Sequence, residues 1–125
     1  MIEGTLIGES LRVWTTLEGI PLSVRRITRA DAALSPDQIA AGLPSRWTVI
    51  EFQAEDRLAE PLAEVLARSL EPVGWYVNFQ SPGKMFVVFP GRIFRYCRSD
   101  EAARAKAQAY GRSLGIPEPQ LDWTK

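Results

Sequence analysis

The chain contains no histidine and only one cysteine among its 125 residues. Without histidine it cannot assemble a Ser-His-Asp triad, a Cys-His dyad or a zinc site with histidine ligands. A single cysteine forms no internal disulfide and no CxxC motif, so nothing indicates a secreted, cross-linked scaffold. We therefore expect no metal and no cofactor in this protein.

Long hydrophobic runs are also missing. The longest purely apolar stretch is residues 85–90, whereas a membrane span needs about 18 apolar residues in a row. The N-terminus places Glu3 where a signal peptide needs positive charge. We therefore expect a cytoplasmic protein that makes no contact with a membrane.

The charges balance overall but not along the chain. Fifteen Lys and Arg residues face fifteen Asp and Glu residues, so there is no overall attraction to nucleic acid. Residues 51–71 hold six acids and two bases, whereas residues 84–112 hold seven bases and two acids. A locally basic surface is therefore compatible with zero net charge.

Length and composition favour one globular domain over residues 1–125. The chain is 46% hydrophobic and 24% charged, values that argue against disorder, collagen and coiled coil. We divide it into an N-terminal hairpin and connection, residues 1–45, and a helix-backed meander, residues 46–125.

The N-terminal part shows the alternation of apolar and polar residues that is typical of strands. Residues 11–17 and 20–24 alternate in this way, and Glu18-Gly19 lies between them at the spacing of a two-residue turn. We therefore predict a β-hairpin here. Residues 30–46 then form a connection with room for one short helical turn.

The second part predicts an α+β fold built on an antiparallel meander. Its strands are expected at residues 47–52, 75–80, 84–89 and 92–97. Pro82-Gly83 and Pro90-Gly91 occupy the two central positions of type II turns. Apolar residues at helical spacing predict a helix over 57–70, and a second helix is expected over 100–114. We expect both helices on one face of the sheet, and Leu121 and Trp123 to anchor the tail.

Two-residue turns fix which residues share a face of the meander. Phe79 then lies opposite Phe86, and Val88 opposite Ile93. One face is almost entirely apolar and is expected to form the core beneath the helices: Trp75, Val77, Phe79, Phe86, Val88, Ile93 and Cys97. The other face mixes aromatic and polar side chains, and we expect the N-terminal hairpin, a partner or a second copy to cover it. A one-residue slip would exchange the two faces.

Few residues point to chemistry. Cys97 lies between Arg95 and Arg98, which would favour a thiolate, but we expect it to be buried and inert. Glu51 interrupts an apolar strand, and we expect it to pair with an arginine such as Arg95 or to point outward at an edge. Neither pattern indicates catalysis, and we predict that the protein is not an enzyme.

The basic cluster Arg25, Arg26 and Arg29 is a second feature of the N-terminal part. We interpret it as edge-strand charge that discourages aggregation.

Several C-terminal motifs resemble those of a group of small bacterial proteins to which no activity is assigned. They cover about the last 50 residues. The motifs are Gly74-Trp75-Tyr76, Phe86-Val87-Val88-Phe89, Ile93-Phe94-Arg95-Tyr96, Gly115-Ile116-Pro117-Glu118 and Gln120-Leu121-Asp122-Trp123. Cys97 and Ser99 depart from that pattern. The resemblance implies one compact fold and carries no functional residue over.

We therefore expect a non-catalytic protein-binding or accessory protein, in the manner of an immunity protein or adaptor, with a protein partner or a second copy of itself. One alternative is a single-stranded nucleic-acid binder that stacks bases on an aromatic and basic sheet face. Another is a small-molecule enzyme that works through carboxylates. The candidate binding residues all lie on the mixed face: Tyr76, Asn78, Phe89, Arg92, Phe94 and Tyr96.

Overall fold

The protein is built on a six-stranded antiparallel sheet, seen in a computed structural model that describes residues 1–123. The strands lie side by side in the order β2-β3-β1-β4-β5-β6. Together with the helices this sheet confirms the α+β class. In chain order the strands are β1 Ile2–Ile7, β2 Ser23–Asp31, β3 Arg46–Ala54, β4 Val77–Ser81, β5 Lys84–Phe89 and β6 Arg92–Cys97.

Residues 1–123 also form three α-helices and three short 3₁₀ turns, of which the last helix and the last turn follow β6. The helices are α1 Pro36–Ala40, α2 Ala59–Ser69 and α3 Glu101–Ser113, and the 3₁₀ turns are Gly8–Ser10, Asp56–Leu58 and Glu118–Leu121. Asp100 caps α3 by accepting a hydrogen bond from the Ala103 N–H at 3.0 Å. The helix is followed by Gly115 at φ 81°, a left-handed conformation that glycine adopts without a steric penalty.

The predicted register of the meander is confirmed. Phe79 lies opposite Phe86 in β4 and β5, and Val88 lies opposite Ile93 in β5 and β6. Both turns have the predicted two residues, and Gly83 and Gly91 have the positive φ of 77° and 75° that a type II turn requires.

The two long helices pack on opposite faces of the sheet, so the prediction that they share one face is wrong. The α2 face carries Val77, Phe79, Phe86 and Val88, and α2 covers it with buried residues such as Leu62 and Leu66. The α3 face carries Met85, Val87, Phe89 and Tyr96, and α3 covers it together with Ile116, Leu121 and Trp123. Both faces of β5 are buried, which explains why this strand is a continuous apolar run.

The predicted N-terminal hairpin is also wrong. Residues 11–22 form an irregular loop, apart from one bridge between Leu11 and Leu70, and the N-terminal strands β1 and β2 each pair with β3. The alternation of apolar and polar residues in this segment reflects packing of its apolar side chains onto the α2 core, without pairing as a strand. These side chains are Leu11, Leu17, Ile20 and Leu22. The short helical turn expected within residues 30–46 is present as α1.

Candidate binding surfaces

Most of the predicted binding residues belong to the core beneath α3. Phe89 and Tyr96 are buried, and Tyr76 and Phe94 are half-buried against the same cluster. The cover that we expected from the N-terminal hairpin or a partner is supplied by α3 and by the segment that follows it. The remaining two candidates, Asn78 and Arg92, keep their side chains accessible.

The aromatic rings of this cluster are in direct contact with one another. Phe89 lies at its centre, with ring centroids 4.9 Å from Tyr110 and 5.7 Å from Phe94. The Tyr76 ring lies 5.4 Å from Trp123, and its hydroxyl donates to the Gln120 carbonyl. Burial raises the pKa of the Tyr76 hydroxyl. Rings packed in this way stabilise the docking of α3 and do not form an open platform for stacking bases.

Two further residues lie in surroundings that the sequence did not predict. Cys97 is exposed at the end of the edge strand β6, not buried. Glu51 does pair with an arginine, but the partner is Arg26, at 3.2 Å. Arg95 instead pairs with Glu60 of α2 at 2.8 Å.

The part of the α3 face that α3 leaves uncovered is a polar groove of about 490 Å³ over β1, β3 and β4. Gln53 bridges its charged groups, since it donates to Glu3 and accepts from Arg25, both at 2.8 Å. Glu51 is paired with Arg26, whereas Glu3 and Arg25 are each hydrogen-bonded to the neutral amide of Gln53. The polar lining of the groove includes Glu3, Thr5, Glu51, Gln53, Asn78 and Gln80. This lining is suited to hydrogen bonding and holds no free pair of carboxylates for acid–base chemistry.

A smaller aromatic notch of about 190 Å³ adjoins this groove. Trp47 and Trp75 line it with ring centroids 5.2 Å apart, and Trp47 Nε1–H donates to the Pro44 carbonyl at 2.8 Å. Tyr76 and Asn78 also reach this notch. Asn78 is therefore the predicted candidate that lines both the groove and the notch.

Strand β2 forms one edge of the sheet and is exposed along almost its whole length. Eight of its nine residues are exposed, and the side chains of Val24 and Ile27 keep 54% and 61% of their surface accessible. Both lie on the α2 face, opposite Phe52 and Ile50 of β3. The apolar face of the sheet thus continues onto β2, beyond the area that α2 covers.

Trp14 is the most exposed aromatic residue of the described chain, at 95%. It is also the one non-glycine residue of residues 1–123 with positive φ, at 75°. Sequence reasoning placed it in a strand, because it alternates with its apolar neighbours. No pattern in the sequence predicts that Trp14 is exposed or that its φ is positive.

Glu9 holds the loop before β2 against the sheet. Its carboxylate accepts from the Thr48 N–H at 2.6 Å, from the Thr48 hydroxyl at 2.9 Å and from Arg29 at 2.9 Å. Partial burial opposes the charged form, but these hydrogen bonds outweigh it, and the pKa of Glu9 lies below its usual value. The arrangement is a structural anchor for β2 and β3.

Comparison with protein-family models, curated proteins and solved structures finds no match for this chain. Within residues 1–123, no cluster of three or more cysteine, aspartate and glutamate side chains has a geometry suited to a metal ion. None of the helices in this part of the chain is long and apolar enough to cross a bilayer.

Proposed function

We propose that this protein is a non-catalytic binding protein that takes up an extended segment of a protein partner along the free edge of β2. The observation that carries the proposal is the exposure of this nine-residue edge strand. Its outer side makes no backbone hydrogen bond to any residue from 1 to 123. Three arginines and a bulge between Val24 and Arg26 make this edge less prone to unspecific pairing, but within residues 1–123 its outer backbone is free. A free edge is a template for another strand, and strand addition is a common mode of peptide recognition.

The arginines of β2 do not block this edge. Arg25 donates to Gln53, Arg26 pairs with Glu51, and Arg29 donates to Thr48. All three partners belong to β3, so the guanidinium groups lean inward over the sheet. The edge backbone is left accessible, and the charges discourage unspecific pairing without covering the strand.

The edge is also apolar on one side, where an incoming strand would complete the α2 face. A partner segment with apolar residues on this side would bury the exposed surfaces of Ile27 and Val24. Each fully buried side chain of this size contributes about 1.5–3 kcal/mol. The main-chain ladder would supply affinity, and these two positions would supply specificity.

The opposite edge, β6, is less suited to the same role. It has six residues, and its apolar side chains Ile93 and Phe94 are half-buried within the protein's own clusters. Arg95 is tied to Glu60 of α2. A partner strand on β6 would therefore find little uncovered apolar surface.

Another protein is a better occupant of the β2 edge than a second copy of this chain. Strand β2 carries three arginines and one aspartate. Pairing two copies would bring six arginines to one seam, and the two copies of Arg25, which have no acidic partner among the described residues, would place uncompensated like charges there. A partner strand with fewer bases avoids this repulsion.

The test is capture from a nuclease-treated native lysate with a matched pair of variants. Ile27→Asp places a carboxylate on the proposed contact, whereas Ile39→Asp makes the same change on α1 at a residue of almost equal exposure, 63% against 61%. We expect one stoichiometric protein with the wild type and with Ile39→Asp, and at least about tenfold less with Ile27→Asp. Capture of no protein, or equal capture by both variants, would contradict the proposal.

The same experiment distinguishes the two alternatives. RNA retained before nuclease treatment, with no protein band, would favour the single-stranded nucleic-acid binder, although the aromatic residues expected to stack bases lie beneath α3. A carboxylate-dependent enzyme has less support, because Glu3 and Glu51 in the groove already accept hydrogen bonds or ion pairs from Gln53 and Arg26.

A further inference from the structure

We propose that a hollow between the end of α2, the turn joining β5 to β6, and α3 binds a small phosphate-class oxyanion. The hollow has a volume of about 520 Å³ and is separate from the β2 edge and from the polar groove. Two arginines, Arg12 and Arg68, and the aromatic side chain of Tyr110 contribute to its lining, which includes no acidic residue.

Arg12 is held in place by the backbone of the segment after α2. Its N–H donates to the Ser69 carbonyl at 2.8 Å, and its Nε–H donates to the Leu70 carbonyl at 3.2 Å. The first bond is made by the backbone N–H and positions the residue, whereas the Nε–H bond orients the guanidinium at the rim of the hollow and leaves its two terminal nitrogens available. A guanidinium that is already ordered loses less entropy when it binds an anion.

Arg68 adds a second positive charge to the hollow from another element, and Arg92 stacks on one of the lining residues. Arg68 lies in the last turn of α2 and lines the hollow. The guanidinium carbon of Arg92 lies 4.6 Å from the centre of the Tyr110 ring and 4.7 Å from that of Phe94. Arg92 does not itself line the hollow, but it stacks on Tyr110, which does.

These three arginines differ from most others in the chain because none lies within 4.0 Å of a carboxylate in the described residues. Six arginines of the chain do make such ion pairs: Arg26, Arg29, Arg46, Arg57, Arg95 and Arg112. Arg12 and Arg68 line the hollow from two different segments without a counter-charge, which favours an anionic ligand.

The helix ends oppose this charge only in part. The C-terminal ends of α2 and α3 both lie near the hollow, and each carries a partial charge of about −0.5. Arg12 already donates to Leu70, which follows α2, and the Gly115 N–H donates to the Arg112 carbonyl at the end of α3. The two full positive charges of Arg12 and Arg68 exceed the two partial negative charges, so the potential in the hollow remains positive.

Guanidinium geometry then selects the class of ligand. The planar fork of arginine donates two parallel hydrogen bonds to a phosphate, and several arginines together favour a multiply charged oxyanion. The proline residues Pro72 and Pro90 bound the hollow. A compact group such as phosphate or pyrophosphate therefore fits better than a long chain of nucleotides.

The test is a calorimetric titration of the full chain with pyrophosphate and with inorganic phosphate at low salt. We expect one saturable site for pyrophosphate, with weaker binding of inorganic phosphate and a loss of affinity as salt increases. Arg12→Gln and Arg68→Gln should each weaken binding by about tenfold or more, and Arg68→Lys by less, because it keeps the charge but not the fork.

Arg25→Gln is the matched control, since it removes an exposed arginine without an acidic partner from the other side of the molecule. It should leave pyrophosphate affinity unchanged, and the Nε–H resonances of Arg12 and Arg68 should shift on titration in the wild type. No saturation below about 10 mM, equal weakening by Arg25→Gln, or binding of single-stranded RNA without binding of pyrophosphate would overturn the proposal. None of these results depends on whether β2 captures a protein.

Discussion

Gly4 lies in close contact with two buried phenylalanines on the α2 face of the sheet. A Cβ at this position would lie 2.6 Å from Phe79 Cβ and 2.7 Å from the Phe52 ring, distances that force one of these buried residues to move. We predict that Gly4→Ala destabilises the protein by about 1–3 kcal/mol, measured by urea unfolding. The change adds one methyl group and leaves the backbone conformation permitted.

Gly111→Ala is the control for this prediction. Its Cβ would lie 2.7 Å from Leu121 Cδ2, the end of a flexible side chain that is able to give way. Alanine within α3 also gains about 1 kcal/mol of helix propensity over glycine. For Gly111→Ala we expect the contact with Leu121 and the gain in helix propensity to offset each other, so that stability changes little. Equal destabilisation by Gly4→Ala and Gly111→Ala would contradict the account of close packing at Gly4.

Glu9 makes the stability of the protein depend on pH. Its folded pKa lies below the ordinary value of 4.5, so its contribution is present above pH 4.5 and is lost as the pH falls through the folded pKa. Glu9→Gln should therefore be less stable than the wild type near neutral pH, and the two should converge on acidification. Urea unfolding between about pH 3 and pH 7 measures this, and a constant difference across that range would contradict it.

At the scale of elements, the segment after α3 acts as the second half of the cover over the α3 face. Trp123 is buried and contacts Tyr76 and Phe89. We predict that Trp123→Ala costs about 3–5 kcal/mol of stability, the range for large aromatic residues removed from a core.

Trp14→Ala offers the matched comparison, because it removes the same side chain from an exposed position. Its effect on the free energy of unfolding should stay within about 0.5 kcal/mol. Thermal and urea unfolding of both variants would show the contrast. A loss of stability in Trp14→Ala as large as that in Trp123→Ala would mean that residues 11–22 pack more closely than described.

The elements that sequence reasoning predicted well are those set by local signals. The meander and its register follow from two Pro-Gly turns and from the alternation of apolar residues, and α3 follows from Asp100 at its start and Gly115 after its end. Such signals act over a few residues. They do not specify which face a helix covers, and the short link from Cys97 to α3 permits either face.

Strand β1 was missed for a related reason. Gly4 lies on the α2 face between Ile2 and Leu6, so a glycine interrupts the alternation of apolar side chains where Phe52 and Phe79 lie close to the strand. Conversely, residues 11–17 alternate without pairing as a strand. In both cases contacts that are distant in sequence decide the conformation. For β1 these contacts are with Phe52 and Phe79, and for residues 11–17 they are with the core beneath α2.

At the scale of the whole molecule, the order of strands could not be predicted from the sequence. Strand β3 pairs with both β1 and β2, although 38 residues separate Ile7 from Arg46. This long-range pairing makes β2 the edge strand. The candidate binding surface therefore depends on the order of the strands. The aromatic residues that the sequence indicated for binding instead pack in the core beneath α3.

The exposed length of β2 defines how the molecule would meet a partner. The two helices occupy opposite faces of the sheet, and β2 lies beyond the area covered by α2. An added strand would extend the six-stranded sheet to seven without displacing any element. We therefore expect binding with little change in the backbone of this protein.

Hydrogen exchange of the protein with and without its captured partner tests this mode of binding most directly. We predict that protection on binding is concentrated in residues 23–31, at backbone amides that face the free edge, while residues 92–97 of the opposite edge keep their exchange rates. Protection centred on β6 or α1, or no protection in β2, would contradict strand addition at this edge.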